Sequence, residues 1–171
     1  MNMSETGSGQ MVASMLNVLA LDPGGYTGIC KAEIYPEVNH ARLSYFQERW
    51  LEADLWMFLN QESPDALIYE SFQYRPQGMR QAGILRPVEL IGVLRLYEQL
   101  HTPIKGTYPQ GSDKAVGNYT YFTDIKLKEM ELYLPGLEHG RVACKHMLYW
   151  LFHGAGTQFV NRHRLTFDLI T

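Results

Sequence analysis

Apolar and polar positions along the chain change period several times, and each change marks an element. Met15 to Leu21 is a short apolar run ending in Asp22-Pro23-Gly24-Gly25, which predicts a buried strand closed by a tight turn. Tyr26 to Tyr35 and Ala41 to Trp50 alternate loosely. With short turns between them, they predict a second and third strand in an antiparallel meander. Leu51 to Asn60 carries Leu51, Leu55, Trp56, Phe58 and Leu59 at helical spacing. Ala66 to Phe72 is a fourth strand ending near Glu70, followed by a Gly/Gln/Arg-rich loop from Gln73 to Gly83. Pro87 to Leu100 is an amphipathic helix with proline in its first turn, where a missing N–H is harmless. Its apolar face (Val88, Ile91, Leu94, Leu96) suits core, interface or both. Thr102 to Tyr108 predicts a fifth strand, and Asp124 to Leu132 and His139 to His153 predict two last helices. The segment from Gly154 onwards has no clear period. A meander followed by alternating helices and strands predicts an α/β fold, with a five-stranded mixed sheet flanked by helices.

A length of 171 residues suits one domain. The first 14 residues are small and polar and are expected to be a flexible leader, with the domain running over 15–171. No stretch reaches the ~20 apolar residues of a membrane span, and the start lacks the basic and apolar regions of an export signal. Cys30 and Cys144 cannot build a disulfide framework, which points to a reducing, cytoplasmic setting.

The net charge of −3 excludes a uniformly basic nucleic-acid binder. Resolved along the chain, it is strongly polarised. Between Ala32 and Glu70, eight acids oppose only Arg42 and Arg49. Between Ser71 and Gly117 the bases Arg75, Arg80, Arg86, Arg95, Lys105 and Lys114 outnumber Glu89, Glu98 and Asp113. From Arg141 on, Arg141, Lys145, Arg162 and Arg164 face only Asp168. Such polarity suits a body that meets a polyanion with one side.

Three clusters carry candidate chemistry. Asp22 ends a buried strand and is followed by glycines that would let a phosphate backbone approach; an ordinary Asp-Pro-Gly turn is the plainer alternative. Glu70 ends another apolar strand, and if the two strands are neighbours the carboxylates repel unless a cation lies between them. Oxygen ligands favour Mg²⁺ or Mn²⁺; a solvent-facing strand end is the alternative. On the last helix His139 and His146 are 700° apart, 20° short of two turns, and Val142 lies within about 60° of both, so the three share a face. A helix-start residue and a satisfied half-buried imidazole are the plain alternatives there.

The segments "ALDPGGYTG", "LIYESFQYRP" and "HGRVACKHMLYWL", in this order, resemble the RuvC-type Holliday junction resolvases, and in particular the small RuvC-like endonucleases of bacteriophages, over Val18 to Phe152. The resemblance implies a ribonuclease H-like fold and hydrolysis of phosphodiesters in branched DNA by a homodimer. It implies two Mg²⁺ or Mn²⁺ ions held by Asp22, Glu70, His139 and His146. The helix pattern resembles His-x-x-Asp-x-x-x-His, with Val142 standing where the Asp is expected. Tyr108 to Lys114 resembles the family's loop after the fifth strand, making Lys114 a catalytic and phosphate-contacting candidate. Arg75, Arg80, Arg86, Lys105, Arg141 and Lys145 are the other expected DNA contacts. Because a valine binds no cation, a branched-DNA-binding protein with impaired catalysis stands beside the active nuclease. A third reading is the actin/hexokinase-like ATPase branch of this broad fold, which needs a second Gly-rich phosphate loop that the sequence lacks.

Overall fold

The computed structural model describes residues 15–71, 85–101, 103, 105–115 and 121–171. The expected leader (1–14) and the whole Gln73 to Gly83 loop, with Arg75 and Arg80, lie outside the described residues. Among the described residues six strands form one sheet: β1 (Leu16–Asp22), β2 (Thr27–Tyr35), β3 (His40–Glu48), β4 (Ala66–Glu70), β5 (Thr107–Gln110) and β6 (Thr166–Leu169). The order is β5-β4-β1-β2-β3-β6. β1, β2 and β3 are the antiparallel meander read from the sequence, while β4, β5 and β6 join in parallel.

The sixth strand corrects the expected count. Thr166–Leu169 is four residues long, alternates between exposed and half-buried positions, and pairs with β3 over 120 residues away in sequence. Its local pattern is too weak to announce a strand, and pairing with β3 supplies what the pattern lacks. β5 also shifts, because the sequence placed its end at Tyr108, before Pro109. Pro109 sits inside the strand opposite Tyr69. β5 lies at the sheet's edge, where a missing N–H is tolerated.

Alternation along the strands divides the interior in two. Val18, Ala20, Cys30, Ala32, Leu43 and Ile68 point to one face, covered by Ala143, Cys144, Met147, Leu148 and Leu151 of helix α4 (Glu138–His153). Leu19, Leu21, Ile29, Leu67 and Tyr69 point to the other, covered by helices α1 (Glu52–Glu62) and α2 (Leu85–His101). On α2, Ile91 and Leu94 are core, whereas Val88 and Leu96 are exposed. α3 (Asp124–Glu129) is capped by Thr123, whose hydroxyl accepts from the Lys126 N–H. Cys30 and Cys144 are free, buried thiols. Burial and the facing Cys144 push the Cys30 thiol up, so it is unreactive as a nucleophile. Among the described residues, no helix is long and apolar enough to cross a membrane.

Tyr45 ties the sheet to the segment that leads into α4. Its hydroxyl donates to the Leu132 carbonyl at 2.8 Å and accepts from the Leu134 N–H at 2.6 Å. Burial pushes its pKa up to about 12. Tyr45→Phe orphans both backbone groups, and stability should fall by about 1–3 kcal/mol. A urea titration checks this, and an unchanged midpoint would refute it.

Candidate functional site

The strand register gathers the site before any side chain is considered. Leu21 pairs with Tyr69, so the next rung brings together Asp22 and Glu70, the last residues of β1 and β4. Glu70 pairs with Gln110, the last residue of β5. On the other side Asp22 pairs with Gly28, and Gly28 with Gln47. Gln110, Glu70, Asp22, Gly28 and Gln47 therefore form one row across five strands. Asp22 shares the parity of Val18 and Ala20, and Glu70 that of Ala66 and Ile68, so both face α4. The row lies at the carboxyl ends of the parallel strands β1, β4 and β5, where open α/β sheets receive ligands.

Helix α4 lies over this row. His139 Nδ1 lies 2.9 Å from Asp22 Oδ2, and because an ionised carboxylate only accepts, Nδ1 carries the hydrogen of this pair. Seven residues on, His146 Nε2 lies 3.2 Å from Glu70 Oε2, and its Nδ1 lies 2.9 Å from Gln110 Oε1. Seven residues of helix rise about 10 Å, and two strand spacings are about the same. The i, i+7 spacing thus matches the step from β1 to the β4–β5 pair. His146 is fully buried, while the His139 side chain is 41% exposed.

Glycine makes this approach possible. A Cβ at Gly28 would stand 2.0 Å from the His139 carbonyl oxygen, and one at Gly140 would stand 2.9 Å from the Phe46 carbonyl oxygen. The expectation that the glycines after Asp22 admit a phosphate backbone is corrected for Gly28, where the backbone that comes close is that of α4. Gln47 Oε1 accepts from the His139 N–H at 3.0 Å, satisfying one of the first-turn donors that a helix leaves open. Tyr26, half exposed, stacks on the His139 ring at 6.5 Å, and Arg49 lies 5.8 Å over Tyr26.

The electrostatics are those of a crowded acidic pocket. Burial pushes the Asp22 carboxyl above its ordinary 3.8, and the Glu70 charge pushes the same way. The bond from His139 opposes the rise without cancelling it. Helix geometry puts Val142, half-buried, between the two histidines on their shared face, where it offers no donor. Among the described residues, no three His, Cys, Asp or Glu side chains converge as a ready cage for one ion. The donor chemistry nonetheless fits a divalent cation: the carboxylates of Asp22 and Glu70 end adjacent strands, and each has an imidazole beside it. Mg²⁺ and Mn²⁺ sites commonly use one or two carboxylates and complete the shell with water and substrate phosphate.

The remaining candidates among the described residues have protein partners. Arg86 bonds both Glu52 oxygens at 3.1 Å, Glu89 at 3.2 Å and the Trp50 carbonyl at 2.7 Å, joining α1 to α2. Arg141 donates to the Leu134 carbonyl at 2.9 Å and lies over Tyr133, and Arg141 and Lys145 both reach Asp124. Lys105 lies 5.5 Å over the Phe159 ring. Lys114, in the turn after β5, pairs with Asp113 at 2.7 Å and lies 5.3 Å over Tyr149. Sequence reasoning did not single out Gln47, Gln110, Tyr26 or Gly140. Only register identifies Gln47 and Gln110, because each owes its place to pairing with a distant strand.

No family model matches the chain, and no curated protein matches it in sequence. Its backbone is similar to that of RuvC from T. thermophilus in complex with a Holliday junction substrate, at a TM-score of 0.59 and 17% identity, covering 83% of this chain and 97% of that one. A second structure of Thermus thermophilus RuvC matches at a TM-score of 0.50 and 15% identity, covering 78% of this chain and 95% of that one. The fold is therefore the RuvC, ribonuclease H-like one, as the sequence motifs implied.

Proposed function

We propose that this protein is a divalent-metal-dependent endonuclease that cuts branched DNA, such as a Holliday junction, by phosphodiester hydrolysis. The observation that carries this reading is the row in which Asp22 and Glu70, at the ends of adjacent parallel strands, each meet a histidine of one helix. A merely structural row would have little reason to set a second carboxylate beside Asp22, where burial already raises the energy of the Asp22 charge. Its place in a fold shared with RuvC supports the reading.

Asp22 and Glu70 would hold the metal through oxygen, with His139 and His146 contributing nitrogen. A divalent cation bound there supplies charge stabilisation to the attacking and leaving oxygens of an in-line displacement. His139, bonded to Asp22 through Nδ1, keeps Nε2 as its basic nitrogen and can hold or pass a proton. Lys114 and Lys105 would contact phosphates, as would Arg75 and Arg80, which contribute charge but no sequence preference. Arg86, Lys114, Arg141 and Lys145 have partners that a phosphate would have to share. A homodimer working in the cytoplasm suits a substrate cut on two opposed strands, and the exposed Val88 and Leu96 of α2 are available for pairing.

A specific observation keeps the second reading in view. Val142 occupies the helix face between the histidines with no donor atom, which suits a branched-DNA-binding protein with weak catalysis. The test is cleavage of junction, flap and duplex substrates with Mg²⁺ or Mn²⁺, by the parent and by Val142→Asp. A nuclease cuts the junction in preference to the duplex, and the added carboxylate is expected to raise the rate about tenfold or more. A parent that binds junctions and cuts only after Val142→Asp establishes the impaired reading. Absence of both binding and cutting overturns the proposal.

A further inference from the structure

Gln110 is a buried amide whose two ends meet the same residue. Its Nε2 donates to the His146 carbonyl oxygen at 3.4 Å, and its Oε1 lies 2.9 Å from His146 Nδ1. A backbone carbonyl can only accept, so the amide NH₂ belongs on that side; the flipped amide would set two acceptors against each other. The oxygen then faces Nδ1, which must carry the hydrogen. The nitrogen that remains, Nε2, lies 3.2 Å from Glu70 Oε2, and because both are acceptors, only a proton or a cation shared between them satisfies the pair.

We propose that Gln110 is a positioning residue that holds His146 with its hydrogen on Nδ1 and thereby presents Nε2 to the Glu70 side of the site, as the nitrogen that takes a cation or a proton. This rests on the reading of the Asp22–Glu70 row as the reaction centre. A histidine that ligates or relays through one nitrogen needs the other held by an oxygen, because that bond sets both tautomer and ring orientation. Gln110 is itself firmly held. Its backbone lies in β5 opposite Glu70, and its own carbonyl accepts from the Ser71 N–H at 2.7 Å and the Ser71 hydroxyl at 3.0 Å. The residue that orients His146 is thus anchored to the strand end that carries Glu70.

Long-range ¹H–¹⁵N spectra of ¹⁵N-histidine-labelled protein test this, with the His146 signals assigned by their loss in His146→Gln. At a pH where the ring is neutral, the parent should show a protonated Nδ1 and an unprotonated Nε2. Gln110→Leu, which removes both bonds, should give a mixture of tautomers and weaken Mn²⁺ binding by about 10–100-fold. Gln110→Glu, which keeps an acceptor at Nδ1, should retain the parent tautomer. A parent ring protonated at Nε2, or an unchanged signature in folded Gln110→Leu, would overturn the proposal, and the parent spectrum decides even if Gln110→Leu does not fold. Because the spectra need no substrate, expected tautomers without any DNA cleavage would sink the nuclease reading while leaving the role of Gln110 standing.

Discussion

Gly28→Ala should destabilise the protein by about 3 kcal/mol or more, the upper end of what forced overpacking costs. The new methyl group would lie 2.0 Å from the His139 carbonyl oxygen, 2.3 Å from its carbonyl carbon and 2.9 Å from the Gly140 nitrogen. All three are backbone atoms of the first turn of α4, so no rotamer change relieves the clash. The helix end must lift from β2, and lifting it breaks both the cap from Gln47 and the bond from His139 to Asp22. The effect on any junction cleavage should exceed the effect on folding, because even a folded population has lost the placement of His139. Gly25→Ala is the matched control: nothing lies within 4 Å of a Cβ there, and the midpoint should stay within about 0.5 kcal/mol of the parent or rise slightly. Urea denaturation of the two variants beside the parent checks the pair. A Gly28→Ala midpoint equal to the parent's would show that α4 does not need this approach.

Asp22→Asn is expected to separate stability from activity in opposite directions. The native carboxyl titrates above the unfolded value of 3.8, chiefly because it is buried. The native state therefore holds its proton over a pH range in which the unfolded state has released it. Stability falls as pH rises through that range, from 3.8 up to the raised native value, and stays reduced above it. Asparagine carries no such penalty. The metal-free variant should melt at a higher temperature than the parent at pH 7, and the gap should shrink as pH falls towards 3.8. Junction cleavage by the variant should drop by at least about 10²-fold while junction binding survives. Added Mg²⁺ or Mn²⁺ should raise the parent's melting temperature more than the variant's. Equal melting temperatures across the pH range would remove the electrostatic account, and undiminished cleavage would remove Asp22 from the reaction. The combination of gain and loss is what a site that stores unfavourable charge for a ligand should show.

Much of this was legible in the chain. Asp22 and Glu70 were marked by apolar runs that stop at an acid, and His139 and His146 by a spacing that one helix face repeats. The meander was readable because its strands are close neighbours joined by short turns. What stayed hidden depended on partners distant in sequence. Gln110 looked like one more loop residue, and becomes a fixture of the site only because it pairs with Glu70, 40 residues earlier. Gln47 was one polar position in an alternating strand, and caps α4 because 92 residues of chain return to it. β6 was invisible because its four residues acquire their pattern from β3. Arg86, Arg141 and Lys145 counted as free charge along the chain, and the fold gave them to Glu52, Leu134 and Asp124.

Local periodicity reports which face of an element is apolar, because that depends on residues one helical turn or one strand pleat apart. By itself, then, the sequence determined the α/β class, the order of most elements and the acids and imidazoles that end or line them. Only the tertiary structure decided the register that puts Asp22, Glu70 and Gln110 in one row, and the close approach at Gly28 that lays α4 across it. Those depend on hydrogen-bond ladders and packing between segments that no local pattern connects.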